Sequence, residues 1–228
     1  MNPLLYFKQN VEGTFNVLEQ CRKNGVKYLI YASSSSVYEP NQSVMNENSP
    51  HDKQLSFYGT SKRMVEVMVE NYCRQFGIRA IGLRFFTVYG SWTRPDMAAY
   101  KFMKAINEGN EITLYNDGEV YRDFTHVSDI VKSIELLVKK IKSEPVGSHQ
   151  VFNIGNGSPI SVKEYATLIA KNLNKELKYK NDQLPENELE STHSDTTQLE
   201  KYVNYKPICN IETGIIEMTN WFKESRYE

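Results

Sequence analysis

Two groups of side chains in this sequence could do chemistry. The first is Tyr58-Gly-Thr-Ser-Lys62. A tyrosine and a lysine four residues apart lie on one face of a helix. A free phenol loses its proton at about pH 10, and a neighbouring ammonium favours the phenolate. Such a pair is suited to act as general base on a sugar hydroxyl. The spacing alone is a weak signal, because an exposed tyrosine and a solvated lysine on a helix read the same way. The second group is Ala32-Ser33-Ser34-Ser35-Ser36-Val37-Tyr38, at the end of a short apolar run. Hydroxyls both donate and accept. At the C-terminal end of a strand in an open α/β sheet they face the ligand crevice. A plain serine-rich strand-to-loop junction fits this stretch equally well.

These groups need elements to position them. Leu4, Phe7, Val11, Phe15, Leu18 and Cys21 repeat at spacings of three and four, which predicts an opening helix that Asn24-Gly25 closes. Residues 28–32 read as a buried strand and 39–57 as a long polar loop. A second helix carries Ser61, Val65, Met68 and Tyr72 on one stripe, with Gly77 after it; residues 78–86 read as the next strand. This alternation predicts a parallel α/β sheet. Further on, a helix near 98–108 leads to a strand at 112–115 and a turn at Asn116-Asp-Gly118. Ile130, Ile134, Leu137 and Ile141 are in helical phase, and residues 151–154 read as a strand. Ser161 with Glu164 forms a capping box for the next helix. Residues 178–212 read as irregular apart from a short helix near 196–202, and a last amphipathic helix covers about 213–224. No glycine-rich G-x-G-x-x-G turn occurs anywhere in the sequence.

Composition narrows the classes. The chain has 228 residues, a net charge of -1 and 40% hydrophobic residues, enough for one sizeable core or a domain with a smaller lobe. Near-neutral, interspersed charge argues against a nucleic-acid binder. Cys21, Cys73 and Cys209 are far apart and form no CxxC pair, so no zinc site or disulfide framework is expected, and a reduced cytoplasmic setting is the default. His51, His126 and His193 show no metal-ligand spacing and read as structural. No apolar run is long enough for a membrane span, and the start does not read as a signal peptide.

Taken together, serines at a strand end and Tyr-x-x-x-Lys on the next helix resemble the Ser/Tyr/Lys set of extended short-chain dehydrogenases. Three more motifs strengthen the likeness to the NAD-dependent epimerase/dehydratase family, and to UDP-glucuronate 4-epimerases within it. They are Arg84-Phe-Phe-Thr87-Val-Tyr-Gly90-Ser-Trp-Thr-Arg94-Pro-Asp-Met97, Arg122-Asp-Phe-Thr-His126-Val-Ser-Asp129 and Val151-Phe-Asn153-Ile-Gly155-Asn. The likeness covers essentially the whole chain. It implies a Rossmann-like doubly wound parallel sheet with a small mixed α/β substrate lobe. Residues 1–90 would be the remaining part of the NAD-binding domain. Residues 91–228 would be mostly the lobe, with 120–155 returning to the sheet.

The resemblance also implies roles. Ser34, Tyr58 and Lys62 would be catalytic, with C4 of a UDP-uronic acid inverted through a 4-keto sugar while NAD holds the hydride. Tyr58, Lys62, Phe85, Phe86 and Ser33 would face NAD. Ser35, Ser36, Thr87 and Arg94 would hold the uronate carboxylate, Tyr115 the uracil and Arg122 the diphosphate, the lesser alternative for Arg122 being a surface ion pair with Asp123. Asn10 would tie its helix to the nucleotide-binding strands. Where relatives carry Gly-Asp, this chain has Asn187-Glu188, and Glu188 would still accept from a ribose. A homodimer through a helix pair is implied as well. The family's N-terminal third, with its glycine-rich turn, would be missing. The expected outcomes are an exposed strand edge that favours association, NAD binding that is weak or absent, and turnover that is slow or absent. The alternatives are an impaired fragment, or a UDP-sugar dehydratase or decarboxylase. The latter add an acidic pair that Ser34-Ser35-Ser36 lacks.

Overall fold

The computed structural model describes residues 2–186 and 188–224; the asparagine at 187 lies outside the described residues. Asn2 caps the first helix through its side chain, with Pro3 at the first helical position. Helix α1 (Pro3–Tyr6) runs through a wider π segment (Phe7–Glu12) into α2 (Gly13–Lys23). That widening, unexpected from the apolar spacing, includes Asn10, whose amide donates to Ser61 Oγ at 2.9 Å. Asn10 therefore ties its helix to the helix that bears Tyr58 and Lys62, and not to a strand. Only Leu18 and Cys21 of the apolar repeat are buried, while Leu4, Phe7 and Phe15 are exposed.

Strand β1 (Tyr28–Ser34) passes through a 3-10 turn (Ser35–Val37) and a long loop to α3 (Phe57–Phe76), which Gly77 closes at φ 73°. β2 (Arg79–Phe85) and β3 (Thr87–Tyr89) follow. The sequence reads one strand over 78–86 and none at 87–89, but the chain changes sheets at Phe86 and goes on as β3: the Phe86 N–H donates to Ile154, and that of Thr87 donates to Asp123. Next come α4 (Ala98–Glu108), β4 (Ile112–Tyr115), β5 (Tyr121–Arg122), β6 (Phe124–His126) and α5 (Val127–Lys140). The remainder is β7 (His149–Ile154), β8 (Ile160–Ser161), α6 (Val162–Leu173), β9 (Tyr179–Asp182), α7 (Thr197–Val203) and α8 (Ile211–Glu224). Strand β9 corrects the irregular reading of its segment. It pairs in parallel with β4, yet it is too polar and exposed to show a burial pattern.

The main sheet is parallel, in the order β1-β2-β7. One face is covered by α2 and α3 through Leu18, Val65, Val69 and Cys73. The other is covered by α5 and α7 through Leu137 and Leu199. A second core, containing Met103, Leu114, Tyr165, Ile169 and Met218, builds the lobe. This is an α/β fold with parallel sheets. Among the described residues β1 pairs on one side only. No helix among them is long and apolar enough to cross a membrane.

A buried polar network joins these elements. Arg84 on β2 and Glu66 on α3 are each 1% exposed. Two guanidinium nitrogens donate to the two carboxylate oxygens, both at 2.9 Å. Ser33 Oγ donates to the same carboxylate at 2.6 Å. The third Arg84 nitrogen donates to the Glu47 carbonyl at 3.2 Å, and the Tyr38 ring covers the guanidinium. Tyr38 in turn donates to Asn153 on β7, and the Asn153 N–H donates to the Glu47 carboxylate. Burial by itself would raise the Glu66 pKa. The Arg84 hydrogen bonds and charge, helped by Ser33, hold it below the ordinary glutamate value.

Glu66 lies one turn beyond Lys62 and two beyond Tyr58, so this network sets the rotation of α3 against the serine strand. Gly59 completes the fit, because a Cβ there would overlap the Ser36 carbonyl oxygen. Two outcomes follow. Arg84→Met, which strands a buried carboxylate, should cost about 3–5 kcal/mol in urea unfolding; Gly59→Ala should cost about 1–3 kcal/mol. Since folding lowers the Glu66 pKa, the pair's contribution is complete above the ordinary value of 4.5 and fades as pH falls through the lower folded value. The stability gap between the unsubstituted chain and Glu66→Gln should therefore be wide at neutral pH and shrink in acid.

Candidate active site

Ser56 starts α3 by accepting the Gly59 N–H at 3.2 Å, which places Tyr58 in the first turn. Tyr58 lines a cavity of about 310 Å³ together with Ser35, Ser36, Thr87, Arg122 and Glu188. The Tyr6 ring, 5.5 Å from that of Tyr58, closes one side. The Lys62 ammonium lies 5.9 Å from the centre of the Tyr58 ring and donates to the Ala32 carbonyl at 3.1 Å. Burial pulls the Lys62 pKa below the ordinary lysine value. One of its three N–H donors is thus used on the serine strand, and the others remain for a ligand.

The serine run divides its work. Ser33 is turned into the network under the strand, towards Glu66. Ser34 is 7% exposed, and its Oγ accepts the Ser36 N–H at 3.1 Å, with its own proton left to donate. Ser35 and Ser36 reach the cavity wall.

A larger cavity, about 700 Å³, adjoins the first and includes Lys101, Tyr115, Phe124 and Tyr165. Thr87, Arg122 and Glu188 belong to both walls. Arg122 is mostly buried, and loss of water lowers its pKa despite the nearby Glu188. Asp123, the alternative partner in the sequence reading, is committed elsewhere. Its carboxylate accepts from the N–H groups of Asn156, Gly157 and Ser194 and from the Ser194 hydroxyl. Those bonds fix the chain directly after Arg122.

The structure thus brings Ser35, Ser36, Tyr58, Thr87, Tyr115, Arg122 and Glu188 to two joined cavities, with Lys62 beside them. It keeps other expected residues out of the walls, Ser34 among them, which lies directly before the wall residues Ser35 and Ser36. Phe86 is packed with Val37, Tyr38 and Met45, and Phe85 lies against the main-sheet core. Arg94 is 74% exposed and pairs with Asp96 at 3.2 Å. Tyr6, Lys101 and Thr192 join the walls without having been singled out in the sequence. Nothing in the spacing marks them, because Tyr6 meets Tyr58 only through the packing of α1 on α3. His51, His126 and His193 bond to neighbouring backbone or hydroxyl groups.

Comparison with known proteins gives a consistent picture. Residues 1–155 match the model of the NAD dependent epimerase/dehydratase family. The uncharacterized protein MJ1055 of Methanocaldococcus jannaschii is 41% identical over 226 residues, 99% of this chain and 68% of that protein. UDP-glucuronate 4-epimerase 3 of Arabidopsis thaliana is 34% identical, over 97% of this chain and 55% of its own length. The solved UDP-glucuronic acid 4-epimerase of Bacillus cereus, in complex with UDP-glucuronic acid and NAD, superposes with a TM-score of 0.89. It is 27% identical, over 96% of this chain and 68% of that one. With a tyrosine–lysine pair set against a serine strand end in a parallel α/β sheet, and with these matches, the chain belongs to the NAD-dependent epimerase/dehydratase family.

Proposed function

We propose that this chain carries the proton-transfer and sugar-nucleotide half of a UDP-sugar 4-epimerase, acting on UDP-glucuronate to give UDP-galacturonate. The observation that carries the reading is a single one. Tyr58 shares a small polar cavity with Ser35 and Ser36, and that cavity opens past Arg122 into a larger one.

In this reading Tyr58 Oη takes the proton of the sugar 4-hydroxyl, and Ser34 donates to the same oxygen to orient it. The Lys62 ammonium favours the phenolate through its positive charge. NAD, when bound, supplies the hydride acceptor and donor at C4. Tyr58 returns its proton to the C4 oxygen after the 4-keto sugar has turned its opposite face. Ser35, Ser36 and Thr87 hold the uronate carboxylate, all three from the smaller wall. Arg122, desolvated and cationic, takes the diphosphate. Tyr115, on the larger wall, meets the pyrimidine.

Tyr58 and Lys62 would hold the nicotinamide ribose, since Lys62 retains unused donors beside the phenol. The sequence offers no glycine-rich turn for the dinucleotide's pyrophosphate.

Incubation with UDP-glucuronate and saturating NAD, followed by proton NMR of the sugar, should show slow formation of UDP-galacturonate. Tyr58→Phe should slow its formation by about 10²–10⁴-fold with little change in UDP-sugar affinity. Lys62→Met should slow it as well and weaken NAD binding. Absence of product from the unsubstituted chain, or full activity in Tyr58→Phe, counts against the reading.

A further inference from the structure

Arg122 and Glu188 form an unequal pair at the wall the two cavities share. The arginine side chain is 17% exposed and the glutamate 52%. Arg122 is held in place on β5. One guanidinium nitrogen donates to the Tyr121 carbonyl at 2.9 Å, and the next residue, Asp123, is locked by its backbone bonds. Glu188 rides on the loop between β9 and α7 and reaches Arg122 through one contact of 3.3 Å. A strong guanidinium–carboxylate pair uses two parallel bonds at about 2.7–2.9 Å. This contact is single and long, and one partner is half in water. A guanidinium taken out of water still needs an anion nearby. Glu188 meets that need loosely, on the side of Arg122 that faces the cavities.

We propose that Glu188 is a built-in counter-ion of Arg122, displaced when a diphosphate enters, and that it sets the charge selectivity of the site. The inference rests on the reading of Arg122 as the diphosphate residue. While the glutamate stays in place it neutralises the cation and repels incoming anions. A monoanion gains too little from Arg122 to displace it, whereas a diphosphate brings enough charge to do so. The rest of the contact supports exchange: Arg122 keeps its place through Tyr121 and Asp123 when Glu188 leaves, and Glu188 leaves into water at small cost.

Calorimetry on the full chain with UDP, inorganic pyrophosphate and uridine tests this. Glu188→Gln should bind pyrophosphate and UDP about fivefold more tightly, with uridine unchanged. The gain should shrink at high salt. It should also vanish in the double variant with Arg122→Gln, which shows that it runs through the arginine. Urea unfolding of Glu188→Gln should shift only slightly from that of the unsubstituted chain, because Glu188 is half exposed, which excludes a large folding effect. If Glu188→Gln weakens UDP and leaves pyrophosphate alone, the glutamate is a ribose acceptor and the proposal is overturned. Equal affinities for pyrophosphate in both forms overturn it too. Failure of the underlying reading looks different: Arg122→Gln alone would then leave UDP binding unchanged.

Discussion

The Glu66–Arg84 pair is the constraint on which the site depends. Two opposite charges at 1% exposure do little for net stability, because withdrawing both from water offsets most of their attraction. Their geometric effect is larger. Arg84 stands on the central strand of the parallel sheet, and Glu66 stands on the helix that carries Tyr58 and Lys62. A bidentate pair fixes both distance and rotation. Ser33, bonded to the same carboxylate, brings the serine strand into that frame. The serine run and the Tyr58–Lys62 pair come from two elements that have no covalent reason to be aligned, and this network aligns them.

The frame extends through neutral groups. Tyr38 covers the guanidinium and donates to Asn153, and Asn153 bonds the backbone at Met45 and Asp195. The long loop after the serine run is thereby tied to the third strand of the sheet. Loops of this length are ordinarily mobile. Here the loop's contacts run into the core, and its residues Met45, Glu47 and Ser49 are buried. The elements on the Tyr58 side of the cavity are tied by buried hydrogen bonds, whereas Glu188 comes from an exposed loop on the other.

Electrostatics divides the cleft in the same way. Lys62 and Arg122 are both cations whose pKa burial lowers. They lie at the two ends of the small cavity's chemistry, one beside the phenol and the other at the opening to the larger cavity. The hydroxyls between them, on Ser35, Ser36 and Thr87, are neutral and donate to whatever anion or oxygen lies there.

Much of this was legible in the chain itself. Apolar spacing located the helices, and Gly77 and Ser161 marked a helix end and a helix start, because those signals are local and act within one turn. The Tyr58–Lys62 pair and the serine run were legible for the same reason, each being a contiguous motif. Strand β9 was not, since its polar residues become a strand only by pairing with β4. Nor was the break between β2 and β3, which is decided by partners at Asp123 and Ile154 far along the chain. The inward turn of Ser33, the outward position of Arg94 and the meeting of Arg122 with Glu188 are likewise decisions of tertiary structure. Residue type and spacing determine what a side chain is able to do. Which partner it meets depends on elements that sequence separation hides, and only packing brings those together.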